Sequence, residues 1–241
     1  MKTFSQFFDF SVDFTRKYFF EYILAILKYI LITIVGAVIF SIGILLADKY
    51  NLFFILISLI SLPFFCFAMW KLFFITYCLT PLADSILNGG DETFSAVIEK
   101  NKEKEKDFLV FCTKLFSPFL ILMVLFVLLY IITHFSRQSN FAFIMGVLLT
   151  LSLFIALFLS FYLYQIYYYK KTDSVIESIK EFFVKADKNF FMILFFILVL
   201  NNLIYLFPKN PIFAIIAYVF QIAVVLITVS MITVWAHYKN K

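Results

Sequence analysis

The sequence predicts an all-α, polytopic membrane protein: six transmembrane helices laid down as three repeated hairpins, each preceded by a cytoplasmic interfacial amphipathic helix. Three observations predict it. First, 64% of the 241 residues are hydrophobic and only 15% charged, against about 25% charged in a soluble domain; the mean hydropathy is +1.00. Second, six apolar runs are each long enough to cross a bilayer. Third, Lys and Arg gather on one side of those runs.

A hydrocarbon core about 30 Å thick needs about 20 apolar residues in a helix. The runs at 22–47, 52–80, 108–133, 141–168, 190–207 and 211–236 meet that length or come close to it. They are unbroken and lack the ten-residue alternation of barrel strands, so helices are expected. About twenty mixed polar and aromatic residues precede the first run, which is too long for a signal-peptide core; it reads as a retained span.

Basic residues set the orientation. One side would hold Lys2, Arg16, Lys17, Lys100, Lys102, Lys104, Lys106, Lys170, Lys171, Lys180, Lys185, Lys188, Lys239 and Lys241; the other holds only Lys49, Arg137 and Lys209. Both termini are therefore expected in the cytoplasm of a multi-pass protein of the inner (plasma) membrane. The outer connections are short, around Asp48-Lys49, His134–Asn140 and Pro208–Pro211.

The chain repeats itself. Lys-x-Phe-(Phe/Leu) stands at the foot of three runs, in RKYFF at 16–20, EKDFL at 105–109 and DKNFF at 187–191. A shift of 89 residues places Lys17 on Lys106, Asn51 on Asn140, Phe54 on Phe143 and DSI (84–86) on DSV (173–175). A shorter third copy carries Lys188 and Asn210. The repeats are expected at 3–83, 84–172 and 173–241 within a single membrane domain. Lys17, Lys106 and Lys188 serve as interfacial anchors in the anionic headgroup zone, with aromatics beside them; each Asn can cap a returning helix.

The segments between hairpins read as helical. TFSQ (3–6) and SVIE (174–177) fit the capping box. Val175, Ile176, Ile179, Phe182, Phe183 and Ala186 recur at helical spacing; Phe4, Phe7, Phe8, Phe14, Tyr18 and Phe19 form a looser stripe. Both read as helices in the membrane surface. EKNKEKEKD (99–107) reads as a solvated charged turn.

No HExxH, GxSxG, Walker loop or dinucleotide glycine pattern occurs. His134 and His237 fall on opposite sides of the membrane. Asp84, Asp91, Glu92, Asp173 and Glu177 fall at cytoplasmic helix starts, where they oppose helix dipoles. No catalytic residue, cofactor or metal site is expected, and the spread-out net charge of +5 does not suggest a nucleic-acid partner. Cys66, Cys78 and Cys112 lie in apolar runs and read as packing residues without disulfides.

Polar residues inside apolar runs are the remaining candidates. Lys28, Lys71 and Lys114 lie toward the cytoplasmic ends of their spans. They read as snorkelling side chains or as a cationic ring for an anion or a lipid headgroup, with no acid beside them in the spans. Asn201, Asn202 and Gln221 form an intramembrane polar cluster, read as interhelical glue. Pro63 and Pro118 fall inside spans as possible kinks, and Gly36, Gly43 and Ala47 make a small-residue stripe on the first.

The RKYFF, EKDFL and DKNFF steps, with amphipathic helices and paired spans, resemble a group of bacterial membrane families. These include the membrane domain attached to some glycerophosphodiester phosphodiesterases and uncharacterised six-helix inner-membrane proteins. The resemblance implies an inner-membrane protein and transfers no active-site residue. The signature of mitochondrial carriers, Pro-x-(Asp/Glu)-x-x-(Lys/Arg), is not present at Pro63 or Pro118.

These readings converge on a non-enzymatic scaffold or subunit of a membrane assembly, with membrane lipids and another membrane protein, or a second copy, as partners. The alternative is a transporter or channel for a small anion or lipid-like solute, for which parallel repeats are a known plan.

Overall fold

The structure, a computed structural model, describes residues 3–50, 52–136, 155–156, 159–160, 162–203 and 211–240. Among them it is all-helical, with no strand. The elements are α1 (Phe4–Tyr50), α2 (Leu52–Tyr77), α3 (Leu79–Leu87), α4 (Phe94–Asn101), a 3₁₀ turn (Lys102–Lys104), α5 (Glu105–Ser136), α6 (Val175–Val184), α7 (Lys188–Leu203) and α8 (Pro211–Asn240). Three stretches, Phe4–Ile42, Pro63–Leu87 and Ile216–Asn240, are long and apolar enough to cross a membrane. Most of the expected fourth span, and Asn51, Asn140 and Asn210, lie outside the described residues.

The described chain forms two compact units. One takes the residues up to Glu105 together with Lys188–Lys239; the other takes Lys106–Asp187. The unit edges fall at two of the Lys-x-Phe feet, not at the expected repeat boundaries of 84 and 173. The DSI and DSV steps also differ in role: Ser85 lies inside α3, whereas Ser174 is the N-cap of α6.

In the first unit the expected surface helix at the N-terminus is not separate. No Gly or Pro interrupts residues 4–35, and α1 runs unbroken for 47 residues, about 70 Å at 1.5 Å per residue. Thr3 starts it, its backbone N–H donating to Gln6 Oε1 at 3.1 Å, one half of a capping box. Phe7, Ser11, Phe14, Tyr18, Tyr22 and Ile26 are buried at intervals of three and four residues. Over 27–42 only Gly36 is buried. A Cβ there would meet Phe64 and the Phe65 ring at 3.6 Å, an ordinary van der Waals distance, so α2 packs on this face without requiring a glycine. The side chains of Gly43 and Ala47 lie outside the described set.

The stripe on α1 belongs to a core completed by α3 and the second half of α8. Leu79, Leu82, Ala83, Val229, Ile232, Trp235 and Ala236 are all buried. Phe7 stacks on Tyr238 at 6.4 Å, and Phe190 of α7 packs on Trp235 at 5.0 Å. The buried Ser11 and Thr233 hydroxyls turn onto their own helices, Ser11 to Phe7 O at 2.8 Å and Thr233 to Val229 O at 2.7 Å, whereas Thr15 Oγ1 and Thr228 Oγ1 are buried without such a bond. Ser11 and Thr233 therefore enter an apolar core without orphaned donors. Between helices, Tyr22 and Thr76 share a hydrogen bond of 2.9 Å. Asp84 meets His237 with Oδ1 to Nδ1 at 2.7 Å, the imidazole side chain only 4% exposed. Asp84 therefore lies late in α3, not at a helix start as its sequence context suggested.

In the second unit, Phe108 of α5 packs its ring on Tyr164 and Tyr167, and Tyr162 meets Phe182 and Phe183 of α6. Ser174 caps α6 as expected, accepting from the Glu177 N–H at 3.4 Å. Phe182 is buried, while Val175, Ile179, Phe183 and Ala186 are half-buried; Ile176, expected on the same face, is 79% exposed.

The Lys-x-Phe feet have a packing logic. The aromatic two residues after Lys106 and Lys188 is buried, as Phe108 and Phe190. In the first foot Tyr18 takes that place, and Phe20 and Phe191 are exposed. Pro63 and Pro118 sit within continuous helices. All three cysteines are free, with Cys78 buried, Cys66 exposed and Cys112 between.

Replacing Asp84 with Ala removes the partner of a buried ring nitrogen. The expected loss is about 1–3 kcal/mol, the cost of an unsatisfied buried polar group. Asp84→Asn, which keeps an acceptor, should lose less. Thermal unfolding of the full chain in mild detergent checks this; equal losses for the two variants would refute the pairing as the cause.

Candidate functional site

The sequence NGGDET (88–93) folds into a clamp that fixes the site's walls. Gly89 has φ +84°, a conformation costly for other residues. The N–H of Gly90 reaches Ser85 O and that of Gly89 reaches Ile86 O, both at 2.9 Å, which closes α3 with a Schellman motif. Thr93 then caps α4, accepting from the Ala96 N–H at 3.4 Å. Three residues on α1 hold this loop. Lys17 Nζ pairs with Asp91 at 2.7 Å, Tyr18 OH donates to Glu92 O at 3.2 Å, and Glu21 Oε2 accepts from the Phe94 N–H at 2.8 Å. Lys17 holds the Asp91 carboxyl below the usual carboxylate range, and Lys100 does the same for Glu92.

With α4 held along α1, a cavity of about 470 Å³ opens between α1, α2, α4 and the start of α5. Lys28, Lys71, Glu99, Lys102 and Glu105 line its polar side. Ala25, Phe74 and Ile75 form its apolar side, the last two being buried. The run EKNKEKEKD is thus only partly solvated. Lys102–Lys104 are exposed, but Asn101 and Glu105 are buried on the helical spacing of Val97.

The electrostatics of the cavity are nearly balanced. Lys71 Nζ meets Glu105 Oε1 at 2.5 Å, with side-chain exposures of 23% and 11%; Lys71 also lies 5.2 Å from the Trp70 ring centre. Lys102 meets Glu99 at 3.4 Å at the exposed mouth. Lys28 has no carboxylate partner among the described residues; its ammonium lies 4.7 Å from the Tyr29 ring centre. The carboxylate that Lys71 meets stands just before the expected third span, as Glu105, a residue hidden in a run of charges.

Lys114 belongs to the second unit, where it lines a separate cavity of about 420 Å³ with Asp107, Lys170 and Asp173. The amides are not aimed between helices. Asn201 donates to Ile197 O at 2.9 Å and Asn202 to Leu198 O at 2.7 Å, both within α7. Gln221 is exposed on α8. Of the anchors, Lys17 is in the clamp, while Lys106 and Lys188 are exposed in the first turns of α5 and α7. Among the described residues no His/Cys/Asp/Glu group could hold a metal.

Two measurements check this geometry. Glu105→Ala strands Lys71, half-buried, and should cost about 2 kcal/mol, between the 0–1 of exposed pairs and the 3–5 of broken buried ones. Glu99→Ala, at the exposed pair, should cost less; equal costs in thermal unfolding would contradict the burial of Lys71–Glu105. For the clamp, Asp91 and Glu92 have depressed pKa values in the folded chain. Their contribution is present above the ordinary carboxylate range and lost as pH falls through the depressed values. Amide exchange over 88–94, corrected for intrinsic rates, should therefore rise only below about pH 4; protection that is lost at neutral pH or that persists at pH 2 would contradict it. No protein-family model, curated protein or solved structure matches this chain.

Proposed function

We propose that the chain is a non-enzymatic, multi-pass protein of the inner (plasma) membrane that serves as a scaffold or subunit of a membrane assembly. In this reading six spans cross the bilayer in three hairpins and both termini are cytoplasmic. The single observation that carries it is an exposed apolar seam on α1. Phe20, Leu24, Leu27, Leu31, Ile34 and Val38 are each between 46% and 75% exposed. They follow one another at four, three, four, three and four residues. That is the seven-residue rhythm of a helix packed along another helix, and it lies opposite the stripe that α1 gives to its own core.

The test is a photo-crosslinker at position 31 in native membranes, followed by mild extraction. A discrete protein adduct, with this chain or another, is expected. Lipid adducts alone, together with a monomer after extraction, would overturn the proposal.

A transporter or channel for a small anion or lipid-like solute is the second reading. The cavity beside Lys28 and Lys71 favours it, since an ammonium without a carboxylate partner is a ready anion site. Uptake of an anion or flipping of a labelled lipid by proteoliposomes, abolished in Lys28→Ala, supports this reading; no transport by the wild-type chain refutes it.

A further inference from the structure

We infer that the cavity between α1, α2 and α4 is a lipid site, selective for a phospholipid whose headgroup carries one negative charge, with Lys28 as the phosphodiester ligand. The inference rests on the anion-site reading of Lys28 and Lys71 and narrows it by charge and by depth.

The charge argument is a count. Lys28, Lys71 and Lys102 bring three ammoniums to the cavity, and Glu99 and Glu105 bring two carboxylates. Two of the ammoniums are already held, Lys71 by Glu105 and Lys102 by Glu99. One positive charge is left, on Lys28. A single phosphodiester neutralises it. A headgroup with further phosphates would have to draw Lys102 off Glu99 or break the half-buried Lys71–Glu105 pair, either of which leaves a carboxylate in the cavity without its partner.

The depth argument separates a lipid from a free ion. Lys28 is seven residues beyond Glu21, the last α1 side chain that grips the polar loop, or about 10 Å of helical rise. On its own helix it is flanked by the exposed apolar residues Leu24, Leu27 and Leu31. An ammonium set among such neighbours is costly in hydrocarbon unless it snorkels or meets an anion. Deeper along the helices, Leu31 and Val35 of α1 and Phe67 of α2 stay exposed, Phe67 beside Tyr29; they offer acyl chains an apolar track and offer a hydrated ion nothing.

The experiment uses the full chain in mild detergent and native mass spectrometry. The probes are phosphatidylglycerol, phosphatidylcholine and the water-soluble headgroup glycerophosphoglycerol. Wild type should retain phosphatidylglycerol about fivefold over phosphatidylcholine, the scale of one lysine near a lipid phosphate. Lys28→Gln should bring the two within about twofold, and Glu99→Gln, which frees Lys102, should raise phosphatidylglycerol retention about twofold. Lys114→Gln, in the other unit, should change nothing. No preference in wild type, or a preference unchanged by Lys28→Gln, overturns the inference. Equal affinity for glycerophosphoglycerol also overturns it and assigns the site to a free phosphodiester. If Lys28→Gln does not fold, Glu99→Gln decides, and no gain overturns it. Absence of transport with the lipid preference intact would defeat only the transporter reading, and the crosslink at position 31 reports on the scaffold independently.

Discussion

A helix of 47 residues is more than twice as long as a bilayer core requires, and the architecture of the first unit follows from that surplus. The chain spends the extra length on protein. Residues 4–26 carry a buried stripe of six side chains, and the next sixteen bury only a glycine. One element therefore lies in two environments. Its first half makes specific contacts with α2, α4, α7 and α8 and with the loop clamp. Its second half packs along α2 on one face, Tyr29 on Phe67 and Gly36 against Phe64, and shows apolar surface on the other. The change comes near Lys28, which is also where the charged cavity opens. The junction of the two environments is thus where the unit places its most unbalanced charge.

The fold was legible where the signal was local. Ser174-x-x-Glu177 announced a helix start, and one backbone bond of that box is present. Lys-x-Phe at three feet announced recurring junctions, and two of them mark the edges of compact units. The continuity of α1 is legible too, in the absence of any Gly or Pro over 4–35; the change from amphipathic to apolar pattern within it is not a break in the chain. A pattern change marks a change of surroundings. Only a breaker or a cap marks a change of element. Asn88-Gly89-Gly90 carried such a stop and went unread.

The site was less legible because its partners are remote. His237 and Asp84 are 153 positions apart, and neither has a local pattern that names the other. Glu105 is the harder case. It sits among Glu103, Lys104, Lys106 and Asp107, where composition says solvent. Only the step of four residues from Val97 to Asn101, and again from Asn101 to Glu105, places it on the buried face. Lysines in apolar runs were correctly singled out as unusual. Periodicity could give their depth along each helix but not which of them share a cavity. Lys28 and Lys71 do share one; Lys114 has different neighbours, two acids and Lys170.

Burial and charge together explain why the cavity is polarised rather than uniformly basic. Lys71 is half-buried and takes Glu105 as a fixed counterion. Lys102 is shallow enough that its pair with Glu99 contributes little, and it can exchange partners without cost to the fold. Lys28 lies between these extremes, on an apolar face yet exposed, with only an aromatic ring nearby. A fixed carboxylate there would have closed the cavity's charge. Its absence leaves the chain itself one counterion short at the level where the helix surface turns apolar, and a membrane supplies such counterions as lipid phosphates, at high local concentration and tethered at the right depth. The scaffold and lipid-site proposals are therefore compatible: the seam on α1 would take a helix-sized neighbour, and the cavity a headgroup-sized one.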